Sequence, residues 1–234
     1  MKNKWIWIAL TGGLILLIPL FKKRKEIMKA LPFGDKNIKQ MLQKIDNIYK
    51  LIPPRRGRIR TYEDLERETY NQLSAVYPKL AGIVKKVIDE MNSYLKRTGS
   101  IYRVGVFEGL RSSYRQYELL KKGTTKALPG QSYHQLGLAV DIVFWSPQTG
   151  WTWEVPSELW NKLGEIGKKY GLEWGGDWGW DRPHFQMRLS SLPDNVRSDV
   201  MTKREMIVKA FVAAAQKDGY TCYQEGGRWR CRIA

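Results

Sequence analysis

The chain contains few acidic residues, few histidines and few cysteines. Its 234 residues include 23 Asp and Glu against 40 Lys and Arg, two histidines and two cysteines. It has no internal repeat and no low-complexity stretch, so this composition excludes a collagen, a low-complexity tail and a disordered acidic activator. At this length the soluble part can bury one sizeable core with at most a small appendage, which excludes a large multidomain enzyme.

The excess positive charge is concentrated near the N-terminus. Of the net charge of +17, residues 1–60 contribute +12, from 15 basic and 3 acidic residues, and residues 61–234 contribute +5, from 25 and 20. An excess of this size is compatible with nucleic acid, an anionic membrane surface or an anionic polymer such as a cell wall. Because most of the charge surrounds an apolar run, we interpret it as membrane anchoring and expect no specific nucleic-acid partner.

The apolar run covers residues 5–21, which are 17 consecutive uncharged residues between Lys2, Lys4 and the basic cluster at 22–25. This pattern predicts a short transmembrane helix. No small-x-small cleavage site follows it, which favours an uncleaved anchor over a signal peptide. The larger basic cluster after the run would keep the rest of the chain in the cytoplasm, whereas the function inferred below requires the opposite side.

The rest of the chain predicts an α+β protein, with helices first and short strands interleaved later. We expect a membrane anchor with basic flanks at 1–28, a helical stalk and linker at 29–61, a main domain at 62–190, and a C-terminal helix and β-hairpin appendage at 191–234. Apolar periodicity and β-rich runs predict the individual elements. Helices are expected at 37–51, 63–76, 78–95, 113–122, 156–170 and 203–217, and strands at 102–107, 139–144 and 183–187.

Each histidine lies in a segment that is dense in glycine, aspartate and aromatic residues. His134 precedes Asp141 by seven residues, and Gly137 between them permits a turn that brings the histidine beside an aspartate at the start of a strand. Together with His184 they form the nitrogen and oxygen ligand set of a catalytic zinc site with one open position. Asp181, three residues before His184, is placed to take a proton from an attacking water. Taken alone, a histidine is more often structural than a ligand.

Two motifs, SYHQLGLAVD at residues 132–141 and DRPHF at residues 181–185, resemble the zinc peptidases of the D-alanyl-D-alanine carboxypeptidase and L-alanyl-D-glutamate endopeptidase family. Phage endolysins are among its members. The segments at 109–119 and 123–130 match as well, so the resemblance spans about residues 62–190. It implies a small zinc peptidase domain in which helices pack on a short antiparallel sheet.

The resemblance implies zinc held by His134, Asp141 and His184, with Asp181 as general base and then as general acid towards the leaving amine. An Asp three residues before the last histidine is the pattern of the L-alanyl-D-glutamate endopeptidases, whereas members that cleave terminal D-alanine tend to carry Glu at the base position. We therefore favour the endopeptidase over a D,D-carboxypeptidase. Asp177 is the alternative base.

The resemblance also indicates a substrate pocket. Arg111 matches the family arginine that steadies the substrate carbonyl or its oxyanion, and a surface ion pair with Glu108 or Glu118 is the alternative. Three further side chains are expected to support or line the pocket: Gln116, Ser132 and Trp178. For Trp178, packing in a hydrophobic core is the alternative.

The C-terminal residues 220–233 predict a β-hairpin that turns at Gly226-Gly227. A two-residue loop places Cys222 opposite Cys231, which permits a cross-strand disulfide. A disulfide favours an oxidising, extracytoplasmic location, and two free thiols are the alternative.

Together these patterns predict a membrane-anchored or virion-associated zinc peptidase that hydrolyses peptidoglycan stem peptides in cell-wall lysis or remodelling, for example as a phage endolysin or virion-associated lysin. Its catalytic domain is expected in the periplasm, at the cell surface or in a phage virion membrane. The alternative is a catalytically silent, membrane-anchored wall-binding or virion structural protein.

Overall fold

The computed structural model describes residues 35–51, 53–54 and 56–233, and within them the chain is an α+β protein, as predicted. The helices are α1 (Asp35–Ile48), α2 (Tyr62–Leu73), α3 (Pro78–Arg97), α4 (Ser113–Lys121), α5 (Ser157–Lys169) and α6 (Asp194–Lys217). The strands are β1 (Arg103–Glu108), β2 (Ala139–Ser146), β3 (Gly150–Thr152), β4 (Glu173–Trp174), β5 (His184–Gln186), β6 (Tyr220–Glu225) and β7 (Arg228–Ile233).

The main sheet is antiparallel, in the order β1-β2-β5-β4, and β3 also pairs with β2. Side chains along β2 alternate between its two faces. Val140, Ile142 and Phe144 join the main core, so Asp141 points to the other face. This alternation separates the packing face of the sheet from the face that carries the polar residues.

Helices α3 and α5 cover the packing face of the sheet. Pro78 opens α3, where its missing N–H leaves no hydrogen bond unmade. Both helices turn a stripe of apolar side chains towards the sheet, as the periodicity predicted. The buried members are Leu80, Val84, Val87, Ile88, Met91 and Leu95 on α3, and Trp160, Leu163 and Ile166 on α5.

Helix α1 packs against the body of the protein and does not project as the predicted stalk. Its Ile38 and Leu42 are fully buried in a cluster with Phe211 of α6 and Tyr117 of α4. A second cluster joins Ile45 of α1 to α6. The predicted division into a stalk at 29–61 and an appendage at 191–234 therefore differs from the structure, because the apolar faces of α1 and α6 cover each other and α4.

Helix α6 begins at Asp194, earlier than the predicted start at residue 203. Pro193 stands directly before its first turn. The first turns contain few apolar residues, so their periodicity is weak. Val196 and Val200 nevertheless pack against the main core, and this tertiary contact extends the helix towards its N-terminus.

In the part of the chain that the structure describes, no helix is long and apolar enough to cross a membrane. The predicted anchor at residues 5–21 and its basic flanks lie outside the described residues. The first described element, α1, instead buries one apolar face against α6.

The C-terminal strands β6 and β7 form the predicted hairpin, in the predicted register. Cys222 lies opposite Cys231, and the two form a disulfide. Trp229 packs against the apolar cluster of α6. Its carbonyl accepts a hydrogen bond of 3.2 Å from the Gln131 side chain, which ties the hairpin to the loop that carries His134.

Candidate functional site

The candidate site lies on the sheet face opposite the main core. Asp141 on β2 pairs with His184 on β5 on one side and with Glu108 on β1 on the other. Residues directly opposite each other in an antiparallel pair point to the same face. The sheet register alone therefore gathers these three side chains.

A β-bulge at Phe107 sets the register on the β1 side. Val106 pairs with Ile142, and the register then shifts so that Glu108 pairs with Asp141. A bulge of this kind inserts one unpaired residue into a strand. Without it, Phe107 would lie opposite Asp141, so the bulge brings the carboxylate of Glu108 to the site.

His134 enters the site from a short 3-10 turn, Tyr133–Leu136, just before β2. Gly137 ends this turn with φ +69°, a left-handed conformation that glycine adopts at little cost. The chain can therefore reverse at Gly137 and place Asp141 beside His134. This is the arrangement that the spacing of the motif predicted.

Three ligand atoms face one another at the centre of the site. His134 Nε2 lies 3.2 Å from His184 Nδ1 and 3.3 Å from Asp141 Oδ1. His184 Nδ1 lies 3.5 Å from Asp141 Oδ1. A tetrahedral zinc ion with ligand bonds of about 2.0–2.1 Å needs ligand atoms about 3.3 Å apart, so this donor set fits zinc in both chemistry and spacing.

The remaining atom of each ligand is held by a neighbour. His134 Nδ1 lies 2.9 Å from the carbonyl of Gly109, and His184 Nε2 lies 3.0 Å from Gln186 Oε1. Asp141 Oδ2 accepts a hydrogen bond of 3.3 Å from Arg111. Such partners fix the tautomer and orientation of metal ligands. Each ring and the carboxylate is therefore oriented before any ion binds.

The local charges keep Asp141 ionised. Burial opposes ionisation, but the neighbouring His134, His184 and Arg111 outweigh it and hold the pKa of Asp141 well below its usual range. Burial also acts to lower the pKa of His184, yet the hydrogen bond and charge of Asp141 raise it overall. The centre thus carries an anionic carboxylate that attracts a cation.

Asp181 lies beside this centre. Burial, and then the negative charge of Asp141, raise the pKa of Asp181, while both site histidines and Arg111 act in the opposite direction. Its carbonyl accepts a hydrogen bond of 3.1 Å from the backbone N–H of His184. A Cβ atom on Gly175 would come within 2.4 Å of that carbonyl, so glycine at 175 lets the two segments approach closely.

The alternative base, Asp177, has a different environment. Its carboxylate pairs with Lys168 of α5 at 2.9 Å, and both side chains are about half exposed. Surface pairs of this kind contribute little energy. Asp177 therefore lies at the surface, whereas Asp181 is part-buried and interacts electrostatically with Asp141 and both histidines.

Arg111 is buried and held on several sides. Its Nε and Nη2 donate to Glu108 Oε2, its Nη2 also to Asp141, and its Nη1 to Gln116 Oε1 at 3.1 Å. A guanidinium has five N–H donors, so at most one is left for a substrate. Arg111 therefore forms the ion pair with Glu108 that was the alternative interpretation, but this pair is buried at the candidate site and does not lie on the surface.

The structure places the three pocket candidates differently. Gln116 is fully buried behind Arg111, and its amide donates to the carbonyl of Ala127 at 2.9 Å. Ser132 is half-buried and precedes the turn of His134. Trp178 is 43% exposed, and its ring centroid lies 5.3 Å from that of His184. Of the three, only the tryptophan adjoins a central side chain and is open to solvent.

Sequence reasoning missed two supports of the site. Glu108 appeared only as a possible surface partner, because its approach depends on the bulge at Phe107. Gln186 was not singled out, although it lies two residues after His184 on β5. Alternate residues of a strand share a face, and that spacing was the available signal.

The sequence that builds this site matches those of known peptidases. Residues 125–187 match the family model described as D-alanyl-D-alanine carboxypeptidase. The chain is 35% identical over 121 residues to the peptidoglycan L-alanyl-D-glutamate endopeptidase CwlK of Bacillus subtilis (strain 168), covering 45% of this chain and 71% of that protein. It is 29% identical over 119 residues to the L-alanyl-D-glutamate peptidase of Listeria phage A118, covering 50% of this chain and 41% of that protein. The crystal structure of the Serratia marcescens L-Ala D-Glu endopeptidase ChiX aligns with a TM-score of 0.39 at 28% identity, covering 52% of this chain and 87% of that chain.

A His-Asp-His cluster on one face of an antiparallel sheet is the ligand set of a metal-dependent hydrolase. The similarity to CwlK, which extends over more than two thirds of that relative, makes the assignment specific. The chain belongs to the D-alanyl-D-alanine carboxypeptidase and L-alanyl-D-glutamate endopeptidase family of peptidases.

Proposed function

We propose that the chain is a zinc-dependent endopeptidase that hydrolyses the L-alanyl-D-glutamate bond of peptidoglycan stem peptides. The observation that carries this proposal is the set of three facing ligand atoms with Asp181 beside them. The relatives in Bacillus subtilis and Listeria phage A118 are named for this cleavage. Those names, with Asp and not Glu at the base position, favour the endopeptidase over the carboxypeptidase for which the family model is named.

In this mechanism His134 Nε2, Asp141 Oδ1 and His184 Nδ1 would hold the zinc ion. A zinc ion held there would supply Lewis-acid chemistry, which polarises a carbonyl and lowers the pKa of water. Asp181 accepts the proton of the attacking water and then delivers it to the leaving amine nitrogen as the C–N bond breaks. Burial raises the pKa of Asp181 above its usual value, which makes its carboxylate a stronger base towards water.

Arg111 acts in this mechanism mainly as a positioning residue. It holds Asp141 Oδ2 and so turns Oδ1 towards the centre. Gln116 and Glu108 hold Arg111 in turn. As a fixed cation beside Asp141, Arg111 would also stabilise negative charge that develops on the substrate oxygen.

Digestion of purified cell walls tests this proposal. The zinc-loaded full-length chain is expected to release peptide fragments that end in L-alanine or begin with D-glutamate, as identified by mass spectrometry. The His134→Ala variant removes a metal ligand and is expected to release none. Wall binding without release of fragments would instead support the silent wall-binding protein.

We also propose that the catalytic domain acts outside the cytoplasm, held at a membrane by residues 5–21. The disulfide between Cys222 and Cys231 supports an oxidising compartment. The net charge of +12 over residues 1–60 supports contact with a membrane surface, whereas the disulfide is the support for the outer side. In that position the enzyme would cut stem peptides during wall lysis or remodelling, in a bacterial cell or a phage particle.

A further inference from the structure

Two arginines converge on Glu108 at the edge of the candidate site. Arg115 Nε lies 3.4 Å from Glu108 Oε1, and Arg56 Nη2 lies 3.9 Å from the same oxygen. The other oxygen of Glu108 is taken by Arg111. Because Arg111 also donates to Asp141, this pair of guanidinium groups is three contacts away from a proposed metal ligand, through Glu108 and Arg111.

Both arginines keep donors that face solvent. The side chain of Arg56 is 37% exposed and that of Arg115 is 40% exposed. Arg56 stands 3.8 Å from the ring centroid of Phe107, and that ring packs edge-on against Trp151 and Trp153. This cation-π contact and the ion pair with Glu108 restrict the guanidinium of Arg56.

The two arginines share one carboxylate oxygen and are open to solvent. Burial lowers the pKa of Arg56, and the neighbouring charge of Arg115 also lowers it, whereas Glu108, Glu68 and Asp141 raise it. Of these carboxylates, Glu68 accepts hydrogen bonds from the Gly57 N–H and from Gln72, and Asp141 accepts one from Arg111. Arg56 and Arg115 both contact the same oxygen of Glu108 with part-exposed side chains, so a further carboxylate can reach them from solvent.

The proposed cleavage provides such a group. A glutamate that follows a scissile bond and continues the chain through one carboxyl group keeps its other carboxyl group free. This free carboxylate belongs to the leaving side of the bond. Arginine binds carboxylates through pairs of parallel hydrogen bonds.

We propose that Arg56 and Arg115 form a subsite for the free carboxylate of the D-glutamyl residue on the leaving side of the scissile bond. This inference rests on the proposed function and adds a basis for its specificity. Neither residue was among the site residues predicted from the sequence. Arg56 belongs to the region that was expected to be a linker.

The test uses two defined stem peptides that differ only in whether this carboxyl group is a carboxylate or a primary amide. For the zinc-loaded full-length chain, kcat/KM is expected to be about tenfold or more higher for the carboxylate, as for the loss of one charge-assisted hydrogen bond. In Arg115→Gln and Arg56→Gln the ratio is expected to fall towards one, mainly through KM, with zinc content unchanged. Arg97→Gln is the matched control, because Arg97 is exposed and precedes the opposite end of β1.

A binding measurement separates this inference from the proposed function. The zinc-loaded Asp181→Asn variant, which is expected to bind without cleaving, should bind the carboxylate peptide about tenfold more tightly than the amide. Equal Kd values for the two peptides, or a preference that survives both arginine substitutions, would overturn the subsite. A preserved difference in Kd with no cleavage by the unmodified chain would support the subsite and overturn the proposed endopeptidase alone.

Discussion

At the scale of single residues, the site is organised by the atoms that do not face its centre. The carbonyl of Gly109 holds His134, Gln186 holds His184, and Arg111 holds Asp141. Supports of this kind orient metal ligands and tune their basicity. The strength of zinc binding should therefore depend on side chains that never touch the ion.

Gln186→Met tests this dependence. The substitution keeps the length of the side chain but removes the oxygen that lies 3.0 Å from His184 Nε2. We expect zinc affinity to fall by about 10–100-fold, as measured by competition with a chelator of known affinity. Gln216→Met is the matched control on the exposed side of α6, and equal affinities in the two variants would contradict the support role.

Asp181→Asn tests the proton-transfer role against the alternative base. The amide has almost the same shape but cannot take a proton, so kcat should fall by about 10²–10⁴-fold while zinc content is retained. Asp177→Asn is the matched control, because Asp177 pairs with Lys168 on the surface. The assignment would be reversed if Asp177→Asn lost activity and Asp181→Asn kept it.

The sequence identified the central residues better than their supports. Two short motifs contain the central residues His134, Asp141 and His184. Gly137, between His134 and Asp141, indicated the turn that brings those two together. Glu108 depends on a bulge in β1 that no local pattern of the strand predicts. Its pairing with Asp141 is set by the register between two strands that are distant in sequence.

At the scale of elements, α1 is joined to the helix that supports the site. Asp46 of α1 accepts hydrogen bonds from the backbone N–H groups of Ser113 at 2.6 Å and Tyr114 at 3.1 Å. These N–H groups belong to the first turn of α4, where they have no partner within the helix. A carboxylate from another element thus caps the helix that carries Arg115 and Gln116.

Asp46→Ala should weaken this connection. Removing the carboxylate leaves the buried N–H of Ser113 and the part-buried N–H of Tyr114 without this acceptor, and we expect the free energy of unfolding to fall by about 2 kcal/mol. Urea denaturation followed by circular dichroism measures the change. Asn47→Ala, at the exposed neighbouring position, should change it by less than about 0.5 kcal/mol, and a similar small effect of Asp46→Ala would show that the cap is dispensable.

Most helices and strands were predictable because their apolar periodicity is local. The packing of α1 was not, because Asp46 and Ser113 are 67 residues apart in sequence. The amphipathic face of α1 was visible, but the sequence did not show that α6 covers it. This is why a segment that resembled a stalk is part of the body of the protein.

At the scale of the whole molecule, the charge divides the chain into two parts. Residues 1–60 carry a net +12, whereas residues 61–234, which contain the site, carry +5. The site itself combines an ionised Asp141 with a group of arginines. We therefore relate the large positive charge to the location of the protein, and only the local arginines to its substrate.

The proposed location predicts the state of both cysteines in cells. When cells that make the full chain are quenched in acid and treated with an alkylating reagent, Cys222 and Cys231 should be protected unless a reductant is added first. Peptide mass spectrometry measures the modified fraction. Full alkylation without a reductant would place the domain in a reducing compartment and contradict the proposal.

The central claim, a zinc-dependent cut between L-alanine and D-glutamate, is tested most directly on one defined stem peptide. The full-length chain is incubated with the peptide after zinc loading, after chelation, and after zinc is restored, and the products are identified by mass spectrometry. We predict one product that ends in L-alanine and one that begins with D-glutamate, both lost on chelation and regained with zinc. Release of D-alanine alone, or an intact peptide in the presence of zinc-loaded protein, would contradict the account.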